Sequence, residues 1–246
     1  MQPYLTYVLV HFLRLLSKLF YRCEVGWVGS PPPDPWADLR LICILNHTSL
    51  YEWLYASAAP DRFIRQLAWH GVVPVAEKTI DRPLVGLFYR MLARHVVSIT
   101  RKRDHTWAAV LQRIEDSAVV VMLPEGRMKR ANGLDLAGKP MDIRGGVADV
   151  IQAIPEGKFL IAYSGGLHHV QHPGEAFPRL FKTIRLNFEN LDLAQYRAEL
   201  LGRHGAEGFR DAVRKDLEER RDRFCPPEQP WGRPLHEAAG DPVDEP

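Results

Sequence analysis

The residues best suited to chemistry in this chain are His47 and Glu52, in the stretch I-C-I-L-N-H-T-S-L-Y-E-W from Ile42 to Trp53. A carboxylate on one imidazole nitrogen fixes the tautomer and supports the cation formed when the other nitrogen takes a proton. Such a pair can act as a general base, typically worth about 10² to 10⁴ in rate. The spacing sets a condition. Residues five apart on a regular helix lie roughly 140° apart around its axis, so the two can meet only if the segment between them is not uniformly helical. The run Leu41 to Leu45 is short, apolar and bounded by polar residues, which reads as a buried strand. We therefore expect a strand, a turn over Asn46 to Ser49, and a helix from near Ser49 to Ala59 that carries Glu52. The alternative is a capping histidine beside a surface glutamate, and these two residues alone do not decide.

A second stretch, V-V-V-M-L-P-E-G-R from Val119 to Arg127, reads as another buried strand ending in Pro-Glu-Gly-Arg. An N-H-x-S-x-x-E motif, followed about 75 residues later by a strand ending in P-E-G, resembles the glycerolipid acyltransferase family typified by lysophosphatidic acid acyltransferases. Lys78 in V-A-E-K, ahead of P-L-V-G at Pro83 to Gly86, is similar to the family's lysine-then-glycine segment. S-I-T-R at Ser98 to Arg101 resembles the block that contributes a phosphate-binding arginine. The blocks stand in family order over about residues 40 to 165.

The resemblance implies an enzyme that moves a fatty acyl group from acyl-CoA or acyl carrier protein to a hydroxyl of a lipid, with 1-acylglycerol-3-phosphate the first acceptor to consider. It implies His47 and Glu52 as the catalytic pair. Arg101 and Arg127 are implied as phosphate contacts, with Lys78 next, because arginine's fork suits phosphate; plain surface charge is the alternative for Lys78 and Arg127. Backbone amides around Gly126 are candidate oxyanion donors. Glu125 would order its loop or hold an acceptor hydroxyl. No cofactor or metal is implied, the thioester being a co-substrate. The sequence also departs from the family pattern. Glu52 stands where aspartate is usual, Arg127 comes one place early, and the fourth block is F-L-I-A-Y at Phe159 to Tyr163 with Pro155 displaced upstream. These bear on the acceptor more than on the reaction. They leave room for a lipid A-type branch, an amino-lipid or another hydroxylated acceptor, and a non-catalytic membrane-binding module is the bland alternative.

Around these residues, the 246-residue chain is long enough for one domain with a sizeable core. A net charge of +2 argues against a nucleic-acid partner. The three cysteines, Cys23, Cys43 and Cys225, are scattered and form no C-x-x-C, which fits a reducing compartment rather than a disulfide or zinc framework. A serine hydrolase would need a G-x-S-x-G elbow, and the sequence has none.

Strand and helix patterns alternate from Cys23 onward. They predict an α/β single domain, with a central mostly parallel sheet flanked by helices over residues 23–225. Tyr4 to Phe20 is the most hydrophobic region, with His11, Arg14 and Lys18 in one narrow stripe. These charges spoil a spanning helix, and basic residues within the apolar run do not fit a secretory signal. We read residues 1–22 as an amphipathic interfacial helix on the cytoplasmic face of a membrane, with Arg14 and Lys18 at head-group level; a core helix is the alternative. Ser30 to Trp36, with four prolines, is a stiff connector. Arg62 to Ala68 and Val72 to Val75 read as strands or strand–helix edges. Pro83 to Ala93, Asp104 to Ser117 and Gly146 to Ala153 read as helices, and Val96 to Thr100 and Lys158 to Tyr163 as strands. Met128 to Asp142 reads as a loop at the lip of the site. His168, His169 and His172 lack an obvious fourth ligand, and a solvated loop is expected there rather than a metal centre. Thr183 to Phe188 is expected at a sheet edge. Leu193 to Arg203 and Gly208 to Phe224 read as helices, the second with a charged, exposed face. Residues 226–246, rich in proline and acid, read as disordered.

Overall fold

The structure, a computed structural model, describes residues 2–100, 102–172, 175 and 177–229. The chain runs through α1 (Gln2–Phe20), β1 (Arg22–Trp27), β2 (Leu39–Leu45), a 3₁₀ helix (Glu52–Ala58), α2 (Asp61–His70), β3 (Gly71–Ala76), α3 (Glu77–Ile80), α4 (Pro83–Arg90), β4 (His95–Ile99), α5 (His105–Leu111), β5 (Val119–Met122), α6 (Gly146–Ala153), β6 (Lys158–Ser164), β7 (Thr183–Asp192) and α7 (Leu193–Phe224). Among the described residues seven strands form one sheet in the order β1-β7-β6-β2-β5-β3-β4, parallel throughout except for the β6–β7 pair. The expected α/β single domain is what the chain builds.

Parallel sheets need cover on both faces, and β2 shows why its sequence is apolar throughout. Leu41, Cys43 and Leu45 enter a core with Trp107 of α5, Val147 and Ile151 of α6, and Phe209 and Leu217 of α7. Ile42 enters the opposite core with Val10 of α1, Leu54 of the 3₁₀ helix, and Phe63 and Ile64 of α2. Leu39 joins this second core although its parity matches Leu41. A register shift between the two turns it over.

Four expectations are corrected. Arg62 to Ala68 is part of a helix, because Phe63, Ile64 and Ala68 are buried at helical spacing beneath α1. Thr183 to Phe188 belongs to an interior strand, since β1 pairs in parallel outside it and forms the edge. The helix at Asp104 to Ser117 is shorter, ending at Leu111. The helix carrying Glu52 is a 3₁₀ helix that starts at Glu52 itself, not at Ser49. The pattern of α7 stands: Gly205, at φ 67°, breaks it into the two segments expected.

α1 packs on the 3₁₀ helix and α2 through Thr6, Val10, Leu13 and Ser17, and the Ser17 hydroxyl donates to the Leu54 carbonyl at 2.7 Å. Its outer face carries Tyr4, Leu5, Val8, Phe12, Leu15 and Leu19, all exposed. Arg14 turns inward to pair with Asp61 of α2 instead of standing with Lys18 at the outer surface. Among the described residues no helix is long and apolar enough to cross a membrane.

α3 and α4 close tightly over the end of β3. A Cβ added at Gly86 would stand 1.9 Å from the Ile80 carbonyl oxygen, which belongs to rigid backbone. Gly86→Ala is therefore expected to destabilise the domain by roughly 1–3 kcal/mol, the usual cost of overpacking, read as a fall in the urea midpoint. An unchanged midpoint would mean that this helical corner is loosely held.

Candidate active site

The ends of three adjacent strands meet at one place. Cys43 of β2 pairs with Met122 of β5, and Leu45 pairs with Tyr163 of β6. Counting three residues past the first pair sets Asn46 abreast of Glu125, and one past the second sets it abreast of Ser164. Asn46 occupies the left-handed region at φ 66°, which asparagine tolerates better than most residues. Its side-chain amide donates to the Ser164 carbonyl at 2.9 Å. The backbone N–H groups of Asn46 and His47 both donate to the Glu125 carboxylate, at 3.0 and 2.7 Å. Glu125 is 1% exposed and its other neighbour is Arg221 of α7 at 3.4 Å. The Lys129 N–H donates to the His47 carbonyl at 2.7 Å. The loop after β5 thus grips the histidine's backbone from both sides.

The imidazole meets its carboxylate as the spacing required. His47 Nδ1 lies 2.7 Å from both carboxylate oxygens of Glu52, and both side chains are largely shielded from water. The Thr48 N–H also donates to Glu52, at 3.2 Å. The intervening turn is held by its own hydroxyls: Thr48 Oγ1 accepts the Leu167 N–H at 2.7 Å, and Ser49 Oγ donates to Gln171 and accepts the Tyr51 N–H. A uniform helix from Ser49 would break these bonds, which is why the helix begins only at Glu52. With Nδ1 donating to the carboxylate, Nε2 is the basic nitrogen.

His47 and Glu52 line a groove of about 650 Å³. On one side its wall is apolar, built from Val10 and Leu13 of α1, Phe63, Ile64 and Leu67 of α2, and Ile42 and Ala162 of the sheet. On the other side it is basic, with Lys102, Arg103, Arg144, Arg210 and Arg214. Two carboxylates gather the four arginines. Asp149 of α6, 7% exposed, is held by Arg103 at 3.0 Å, Arg210 at 2.6 Å and Trp107 Nε1 at 3.0 Å. Asp142 lies near Arg144 and Arg214, at 3.8 and 3.9 Å.

A match to the family described as Acyltransferase covers residues 33–162, more than half the chain, and spans β2, the His47–Glu52 pair and the Pro-Glu-Gly-Arg turn. The chain belongs to the acyltransferase family. A search of curated proteins finds no match.

The acyltransferase groove does not collect every candidate. His47, Glu52 and Gly126 line it. Gly126, at φ 61°, uses its own N–H within the turn, donating to the Leu123 carbonyl at 3.0 Å. Glu125 lies behind the groove, where its carboxylate holds the backbone of the histidine turn. Arg127 is turned away: its guanidinium binds Asp135, Asp142 and the Pro140 carbonyl, tying down the loop 128–142. Lys78 is exposed on α3 while its neighbours Ala76 and Thr79 line the groove. Arg101 lies outside the described residues, though Lys102 and Arg103 beside it line the basic side.

Arg210 and Arg214 are groove residues that sequence reasoning missed. Their i,i+4 spacing was visible, but it sat in a charge-dense helix taken as solvated, beyond the family match. Residues 168, 169 and 172 are buried, not a solvated loop. His169 Nε2 donates to the Thr183 carbonyl at 2.7 Å, and burial pushes its pKa below the ordinary value. Among the described residues no cluster of three or more His, Cys, Asp or Glu is placed to hold a metal.

Proposed function

We propose that this acyltransferase moves a fatty acyl group from an acyl thioester, on coenzyme A or acyl carrier protein, to a hydroxyl of an anionic lipid, with 1-acylglycerol-3-phosphate the leading acceptor. One observation carries the reading: a single groove joins an apolar wall, the His47–Glu52 pair and a basic wall. A fatty chain suits the first and a phosphate the last. His47 Nε2 takes the proton of the acceptor hydroxyl as its oxygen attacks the thioester carbonyl. Glu52 stabilises the resulting imidazolium. The C–S bond then breaks, an ester remains, and the proton returns from His47 to the departing thiolate. Arginines already gathered by Asp142 and Asp149 meet the phosphate with little rearrangement.

The turn of Arg127 away from the groove, together with Glu52 in place of aspartate, favours a second reading in which the acceptor is another hydroxylated lipid. The deciding experiment supplies labelled acyl-CoA or acyl carrier protein and a panel of lysolipids to the wild type and to His47→Ala. Transfer to lysophosphatidic acid supports the first acceptor. Transfer only to another lipid replaces it. An inert wild type with every pair would remove acyl transfer to lipids.

The exposed face of α1 is where we place the lipid surface, at the cytoplasmic side of a membrane. Phe12, Leu15 and Leu19 stand together on it. Burying each side chain is worth about 1.5–3 kcal/mol. Changing all three to Asn is therefore expected to lower partition onto anionic vesicles at least about 10-fold, measured by flotation, without reducing turnover of a water-soluble short-chain thioester. Undiminished flotation would dismiss this face as the anchor.

A further inference from the structure

We propose that Glu228, well beyond the matched family region, is a positioning residue for His47; the inference rests on the acyl-transfer reading above. Residues 225–229, directly after α7, stay on the domain, while 230–246 of the expected disordered tail lie outside the described residues. Cys225-Pro226-Pro227 carries Glu228 across the back of the histidine turn, with Pro226 and Glu228 packed against Gly165 and Gly166. There the carboxylate meets three groups. Its Oε1 takes an ion pair from Lys129 Nζ and lies 3.4 Å from the Asn46 side-chain amide. Its Oε2 lies 3.2 Å from His168 Nδ1. His168 is 2% exposed, and its Nε2 lies 2.9 Å from the Lys129 carbonyl. Both ring nitrogens therefore face acceptors. Burial alone would push the Glu228 carboxyl up; His168 and Lys129 more than offset it and hold it down at about 2.

These contacts converge on the catalytic residue from both sides. Asn46 precedes His47 and holds the left-handed turn. Lys129 donates its N–H to the His47 carbonyl. Glu228 meets both Asn46 and Lys129, so it ties the histidine turn to the loop after β5. It does not line the groove, so its effect belongs to placement of the base and not to binding of the chain or phosphate.

The test compares the full-length wild type with Glu228→Ala, Glu228→Gln and Lys129→Met, the last keeping the backbone N–H. For Glu228→Ala we expect kcat to fall roughly 10-fold, as small misplacements of a catalytic group do, with thioester KM within about twofold. Glu228→Gln, which keeps the reach but not the charge, should lie between. Lys129→Met should match Glu228→Ala. Amide hydrogen exchange over residues 41–54 reads the same turn without turnover: faster exchange in Glu228→Ala, at unchanged exchange in α2, supports the proposal whether or not the chosen substrates are right. Unchanged exchange and unchanged kcat would overturn it, as would a loss confined to KM or a uniform loosening of the whole domain. A wild type that transfers no acyl group, with local exchange still responding to Glu228, would fault the function and leave the clasp standing.

Discussion

His47→Ala is expected to remove acyl transfer, lowering kcat by about 10² to 10⁴, the usual contribution of a positioned base, while the domain stays folded. The imidazole is largely shielded at the groove wall and its backbone, not its ring, carries the bonds to Glu125 and Lys129. Truncating the ring therefore leaves the turn's framework in place. Glu52→Gln is the finer probe. It keeps the size but replaces the charge that supports the imidazolium, and its amide can offer Nδ1 a donor, favouring the wrong tautomer. We expect its kcat to fall nearly as far as that of His47→Ala, with thioester KM little changed, because the carboxylate acts through the base and not on the thioester. The measurement is steady-state thioester consumption, with circular dichroism and the urea midpoint as folding controls. Full activity in His47→Ala would mean that another group takes the proton.

Glu125→Gln is expected to damage both stability and activity. The carboxylate, itself buried, accepts two backbone N–H groups and stands beside the partly buried Arg221. An amide keeps one acceptor oxygen and turns an NH₂ towards a buried N–H. Leaving one such donor unsatisfied costs about 1–3 kcal/mol, which for a domain of this size lowers the thermal midpoint by roughly 2–12 °C. The freed amide belongs to Asn46 or His47, so kcat should drop too, by roughly 10-fold or more, even well below the midpoint. A variant with normal melting and normal kcat would show that water replaces the lost acceptor.

The core of the site was legible because its geometry is local or set by strand ends. The apolar runs of β2 and β5 announced two buried strands, and His47 and Glu52 at a non-helical spacing announced a turn that brings them together. What was missed depends on tertiary contacts that no period reveals. Arg127 looked like a groove residue until Asp135 and Asp142, in a loop without pattern, claimed its guanidinium. Arg210 and Arg214 looked like solvated charge because the helix lacks a clean apolar face, yet Phe209 and Val213 beside them are buried. Arg62 to Ala68 reads as a strand or strand–helix edge although Phe63, Ile64, Leu67 and Ala68 stand at helical spacing, and the cover of α1 makes them a buried helical face. The segment after Cys225 has the composition of a free tail, and two prolines that break regular structure also stiffen its path to Glu228.

The pairing of Cys43 with Met122 and of Leu45 with Tyr163 has a consequence for how this chain tolerates insertions and deletions. The distance in sequence between the two strand ends is filled by further helices and strands, and residues gained or lost in the loops that join those elements leave the alignment of the strand ends intact. A single residue gained or lost between Cys43 and His47, or between Met122 and Glu125, would rotate the carboxylate out from under both amides. Tolerance to length change should therefore fall sharply at these two four- or five-residue windows, as it does between His47 and Glu52, and be greatest in the connecting loops after them.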